Sequence, residues 1–225
     1  MSSALSQTRA AGDALKDIKS LHILLYNEDG VLLQSWTQNE TRGDLRNYTV
    51  TSEDRTDADA ENGHKAESTT ARATFTLPGE IEYGKYYIYA VANIPDLLTE
   101  YAESIKTVDG LKSIPLTWDN TKNTETGEYN VVNNGQMLGC FTNSTSSNNS
   151  SDESLIINSK NVKLHAWLRR AASKVTVAFD GSNLKEGVFI YIQSVQIKDI
   201  PLQCYLGKDN NVGREGYTLD VPKSG

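Results

Sequence analysis

Leu21 to Tyr26 is an apolar run broken only by His22, and Lys19-Ser20-Leu21-His22-Ile23-Leu24-Leu25-Tyr26 predicts a strand. Asn27-Glu28-Asp29-Gly30 follows, and Asp-Gly between two apolar runs is a strong hairpin signal. Val31-Leu32-Leu33-Gln34-Ser35-Trp36 is the expected return strand. Ala71 to Leu77 alternates and stops at Pro78-Gly79, which predicts a strand and a turn. From Tyr83 to Ala92 both parities are apolar. Tyr86, Ile88, Ala90 and Ala92 share one face; Tyr87, Tyr89 and Val91 share the other. Such a strand belongs in the middle of a sheet, covered on both sides.

Pro95 opens the one expected helix, to about Ile105, with Leu97, Leu98, Tyr101 and Ile105 on one side. Tyr129 to Phe141 is expected as a strand interrupted by Asn133-Asn134-Gly135. Val162, Leu164, Ala166 and Leu168 alternate with Lys163, His165, Trp167 and Arg169, the pattern of a strand with one buried face. Lys174 to Phe179 continues that mode. Val188, Ile190 and Ile192 are out of phase with Val195 and Ile197, so a bulge is expected near Gln193-Ser194. Pro201 to Leu206 is a short strand that Pro201 can begin, and Tyr217 to Val221 is another. Two polar stretches, Glu53 to Glu67 and Thr142 to Asp152, read as solvated loops and as the first protease targets. Short strands, frequent turn signals and one helix predict an all-β, antiparallel β-sandwich with no internal repeat. Residues 1–17 read as a flexible N-terminal segment, and 18–225 as the β-sandwich domain.

The 225 residues carry a net charge of −7 and the sequence pI is about 5.0. No basic stretch stands out, which argues against nucleic acid or an anionic membrane surface as partner. No apolar stretch is long enough to span a bilayer as a helix. Met1 to Lys19 is polar and has no signal-peptide core. An exported protein with this sequence would therefore be a processed or shortened form.

Nucleophile elbows, Walker loops, dinucleotide-binding glycines, zinc-helix motifs and paired CxxC are absent from the sequence. No acid, base and nucleophile form a visible set, so an enzyme, a cofactor and a small-molecule substrate are not expected. His22, His64 and His165 are dispersed and read as surface or rim residues rather than metal ligands. Asp57 to Gly63 faintly resembles a calcium loop. Asn62 stands where the turn needs glycine and Ser68 where the bidentate Glu belongs, so the reading is a plain solvated loop. Cys140 and Cys204 could pair in an oxidising compartment, but are expected as buried free thiols. Tyr83, Tyr86, Tyr87 and Tyr89, with Trp36, Trp118 and Trp167, could form a sugar-stacking platform, although such aromatics in β proteins more often pack in cores. Arg169-Arg170 reads as a structural pair holding carboxylates or loop carbonyls.

Several of these segments, in order, resemble the Bacteroidales fimbrillin family, whose subunits form type V pili. They are Ile18 to Gly30, with its strand and acidic-Gly turn; Tyr86 to Asn93, a tyrosine-rich strand ending Ala-Asn before a helix; Gln136-Met137-Leu138-Gly139; Leu168 to Val177; and Val195 to Pro201. Together they span roughly residues 18 to 206. The Asp29-Gly30 turn and the Arg169 strand lean towards the minor tip or anchor components. The resemblance implies a transthyretin-like sandwich, export as a lipoprotein to the outer membrane and cell surface, and adhesion to a host or bacterial surface ligand. It also implies other pilus subunits as partners through strand exchange, and a second, C-terminal domain that this sequence lacks, as it lacks the lipidated Cys. Family members are cut after a basic residue ahead of the first strand. Here Arg9, in a polar stretch, is the candidate processing position, whereas Lys16 and Lys19 lie too close to Leu21. The competing reading from the residues is a carbohydrate-binding module of a surface glycan-uptake system. Burial of Trp36 and Trp167 would favour the pilus subunit, and an exposed row of Trp and Tyr the glycan module.

Overall fold

A computed structural model describes residues 18–57, 66–116, 124, 135–143, 154–171, 184–185, 187–189, 191, 194–197, 201–208, 211–212 and 217–220. The opening hairpin forms as expected. Strand β1 (Leu21–Tyr26) pairs antiparallel with β2 (Leu32–Gln38). Gly30 takes the left-handed position (φ 74). Asn27 closes the turn twice, through its backbone N–H to Val31 O (3.0 Å) and through its Oδ1, which accepts from Val31 N–H (2.8 Å). Asn side chains stabilise turns in this way because they mimic a backbone acceptor.

On its other side β1 pairs with β5 (Gly84–Ala92), from Leu21 opposite Ala92 to Tyr26 opposite Tyr87. β5 then pairs with β6 (Met137–Thr142) along its last residues and with β7 (Leu155–Ile157) along its first. β6 carries β8 (His165–Ala166) and β9 (Arg169–Arg170) on its far side. The result is a seven-stranded antiparallel sheet whose path runs β2-β1-β5-β6-β8. β10 (Ser194–Ile197) pairs with β13 (Tyr217–Asp220), and β11 (Pro201–Gln203) with β12 (Asn211–Val212). The fold is all-β and sandwich-like, mostly antiparallel, and no barrel closes among the described residues.

The two-faced pattern of β5 sets the core. Ile88, Ala90 and Ala92 join Leu21, Ile23 and Leu25 of β1 on one face, with Trp36, Leu45, Met137, Leu155 and Ile157. Tyr89 and Val91 join Leu24 and Tyr26 on the other face, beneath Ile94, Leu97, Ile105, Leu111 and Ile114. Tyr26 and Tyr89 meet edge to face with centroids 5.9 Å apart, and Tyr26 Oη donates to Ile105 O at 2.9 Å. Burial raises the Tyr26 phenol above its ordinary range.

Two expectations need correction. Glu53 to Glu67 is not simply a loop. β3 (Arg46–Asp57) pairs with β4 (Ala66–Thr76) in a long hairpin, with Glu53 opposite Thr70 and Asp57 opposite Ala66. Charged residues hid this, because sequence polarity reports solvent exposure, and a two-stranded ladder satisfies its backbone without burying side chains. Its base does bury: Tyr48, Ala73, Phe75 and Leu77 pack against the first core. The second correction concerns the helix. The expected stripe is placed correctly, with Leu97 and Ile105 buried. The chain nevertheless forms a one-turn α1 (Leu97–Glu100), a 3₁₀ turn (Ser104–Lys106) and α2 (Val108–Lys112) in place of one helix. Thr107 interrupts them in extended conformation. Its Oγ1 caps α2 by accepting from Gly110 N–H (3.1 Å), and its backbone bridges to Val31.

The strand expected over 162–169 alternates in burial as predicted but is broken into β8 and β9 at Trp167-Leu168. The Pro201 strand begins at Pro201 and ends at Gln203; Tyr205 instead bridges to Pro115. Residues 1–17, 58–65, 125–134, 144–153 and 172–183 lie outside the described residues. With them lie the N-terminal segment, most of the calcium-like loop, the start of the Tyr129 strand, nearly all of the Thr142 to Asp152 stretch and the Lys174 strand. The bulge expected at Gln193-Ser194 is likewise undescribed at Gln193.

Candidate functional site

Two places gather the residues that the sequence singled out. The first is the corner where the chain enters the sheet. Asn93, the residue after β5, adopts a left-handed backbone (φ 61) and is only 4% exposed. Its backbone N–H donates to Ser20 O (2.9 Å), its Oδ1 accepts from Lys19 N–H (2.9 Å), and its Nδ2 donates to Gly135 O (3.1 Å). One side chain thus ties the approach to β1, the exit of β5 and the approach to β6. Asn suits the place because it tolerates positive φ better than most residues and offers both a donor and an acceptor.

His22 lies beside this corner, and its placement corrects the expected surface histidine: it is 1% exposed, inside the second face of the sheet. Ile94 O can only accept, so His22 Nε2 carries the proton and donates to it (2.9 Å). Nδ1 then accepts from the hydroxyl of Thr37, its cross-strand neighbour (3.0 Å). Both nitrogens are satisfied, which is how a polar ring sits among apolar neighbours. Burial lowers the His22 pKa; the hydrogen bond to Ile94 opposes this and the charge of Arg42 adds to it. Thr37 is held in turn by Asp44, which accepts from Thr37 N–H at Oδ2 (2.9 Å) and donates its own N–H to Thr37 O (2.9 Å). Arg42 Nε stands 2.8 Å from the same carboxylate and holds Asp44 below its ordinary pKa, with the Thr37 N–H adding to the effect. A signal for His22 was present in the sequence: it interrupts a run that is apolar on both parities.

The second place is the outer strand. Val162, Leu164, Ala166 and Leu168 are half-buried against the first core. Lys163, His165, Trp167 and Arg169 face out and are exposed, with Trp167 at 43%. Gly139 fixes the break between β8 and β9. A Cβ there would stand 2.7 Å from Trp167 O, so only glycine lets the two backbones approach this closely. Arg169 therefore points to solvent and does not hold a core carboxylate.

The remaining candidates scatter. Trp36 is buried, at 4% exposed, and Tyr89 is fully buried. Tyr86 and Tyr87 pack on opposite faces of the sheet, and Tyr83 is exposed. Among the described residues, these aromatics do not gather into a platform. Cys140 and Cys204 are half-buried thiols that form no disulfide with each other, less enclosed than expected. Arg9, His64 and Trp118 lie outside the described residues. Among the described residues, no group of three or more His, Cys, Asp or Glu converges, and no helix is long and apolar enough to cross a membrane.

No family model and no curated protein sequence matches the chain. Among solved structures, it is similar to the crystal structure of a fimbrial assembly protein from Parabacteroides distasonis ATCC 8503. The two are 16% identical with a TM-score of 0.42, over 96% of this chain and 69% of that one.

Proposed function

We propose that this chain is a structural, non-enzymatic subunit of a fimbrial-type fibre on a bacterial surface. The supporting observation is where the fimbrillin-like segments fall. Ile18 to Gly30 supplies β1 and its turn, Tyr86 to Asn93 supplies β5 and its corner, Met137 to Gly139 opens β6, and Arg169-Arg170 is β9. β1 pairs with β5, β5 with β6 and β6 with β9. Segments far apart in sequence are thus consecutive members of one sheet, so the resemblance follows a structural frame. On this reading the partners are other fimbrial subunits joined by strand exchange, for which a sheet edge is the natural template. The protein is exported, anchored at the outer membrane as a lipoprotein and contributes to adhesion, and Arg9 is the processing position.

The test is fractionation of the source cells with an antibody against this chain. It should travel with sheared surface fibres and enter complexes that resist mild detergent. Recovery only as a soluble intracellular monomer would overturn the reading. For processing, the precursor is treated with an Arg-specific protease and a partner's donor peptide is added. If the Arg9→Ala precursor incorporates the peptide as well as wild type, Arg9 is not the switch.

A further inference from the structure

The geometry points to the outward row Lys163, His165, Trp167 and Arg169 as a binding strip for an anionic saccharide, a ligand independent of how the fibre assembles. The four residues occupy alternate positions and all are exposed. Successive members stand roughly 6.6 Å apart along an extended chain, so the row spans roughly 20 Å. It places an indole between two permanent cations, with an imidazole beside it.

The charge is what commits the ligand. The chain as a whole carries −7, yet this row holds Lys163 and Arg169 and no acid. On β6, Thr142 lies opposite His165 and Leu138 opposite Arg169, with Cys140 between them, and none of the three bears a carboxylate. Among the described residues, no ion pair engages Lys163 or Arg169. A pyranose ring offers an apolar C–H face to an indole, and its uronate or sulfate groups suit a planar guanidinium and an ammonium. A nucleic acid, with a phosphate at every nucleotide, would need a longer basic track than the two cations of this row provide. An acidic peptide docking by side chains would need pockets, whereas alternate strand positions make a flat ridge.

The break in the strand holds Trp167 in place. Gly139 packs against its carbonyl, and Ala166 and Leu168 on either side turn towards the first core. The backbone that presents the indole is thus packed against β6 and flanked by side chains turned to the core, which lowers the ordering cost of binding.

The test titrates the whole chain with an oligogalacturonate, following tryptophan fluorescence and heat. A neutral glucan oligomer of equal length, a poly-glutamate peptide and single-stranded DNA are run in parallel. The oligogalacturonate should bind, and the affinity should fall with added salt. Trp167→Ala should weaken binding by about tenfold. The double variant K163Q/R169Q should weaken it and flatten the salt dependence. Both changes lie on the surface, and an unchanged melting temperature checks the fold. The proposal is overturned if wild type ignores the oligogalacturonate, if Trp167→Ala or K163Q/R169Q binds it as well as wild type, or if poly-glutamate or DNA binds as tightly.

Discussion

Lys19 N–H donates to Asn93 Oδ1 at 2.9 Å, joining two positions 74 residues apart. The bond fastens the approach to β1 to the far end of the central strand. Asn93 N–H to Ser20 O repeats the link one residue further on, and Asn93 Nδ2 extends it to Gly135.

Replacing Asn93 separates its two roles. Asn93→Gly keeps the left-handed backbone and loses both side-chain bonds. Asn93→Ala loses the bonds and adds strain at φ 61. The expected loss in urea unfolding is about 2 kcal/mol for Gly and about 1 kcal/mol more for Ala. Equal stability of Asn93→Ala and wild type would show that the corner is not held by this side chain.

Acid should loosen the second face of the sheet through His22. Its folded pKa lies below the ordinary value of 6.5, so as pH falls the unfolded chain takes the proton first. The His22 contribution is complete above about pH 6.5. It is lost progressively as pH falls towards the folded pKa and levels off below that. Melting temperatures across this range should drop for wild type and drop less for His22→Gln. Parallel curves for the two proteins would remove His22 as the cause.

What could be read in advance divides along physical lines. Continuous apolar runs located β1 and β5, which are covered on both faces, and period-2 patterning located the one-faced strand at Val162, because burial on a pleated sheet is written in side-chain parity. The resemblance pointed to the Ala92-Asn93 junction, but its bonding partners lie far away in sequence and no local rule brings them together. Of the β3–β4 hairpin, the Ala71 part of β4 was read from its alternation, and the distal half was missed because backbone pairing there leaves no apolar signature. Trp36 and Trp167 look alike in sequence, and only the layers around them separate the buried one from the exposed one.

Gly110 sets helix propensity against packing. In an exposed helix, alanine for glycine stabilises by about 0.5 to 1 kcal/mol. Here a Cβ at Gly110 would run into the carbonyl of Ser104, in the preceding 3₁₀ turn, and crowd Thr107 Oγ1 at 3.0 Å. Both neighbours are fixed, one as backbone and one as the cap of α2. Gly110→Ala is expected to lower stability by about 1 to 3 kcal/mol despite its propensity. A rise in the unfolding midpoint would mean that the turn opens freely.

The β3–β4 hairpin makes a prediction about individual amides. Among the described residues its strands pair only with each other. In a two-stranded antiparallel ladder, alternate residues turn both backbone groups inward and the rest turn them out to water. Hydrogen exchange across Val50 to Asp57 and Ala66 to Ala73 should therefore alternate, one amide slow and the next fast. The central strand β5 has a neighbour on each side, so it should be slow at successive residues from Tyr89 to Ala92. Protection in the hairpin should also decline away from its base, where Tyr48, Ala73 and Phe75 anchor it, because an unsupported two-stranded ribbon is only marginally stable in water. Uniformly fast exchange from Ser52 to Asp57 would mean that this stretch is the solvated loop its composition suggests. Uniformly slow exchange there would mean that another chain covers the outer edge.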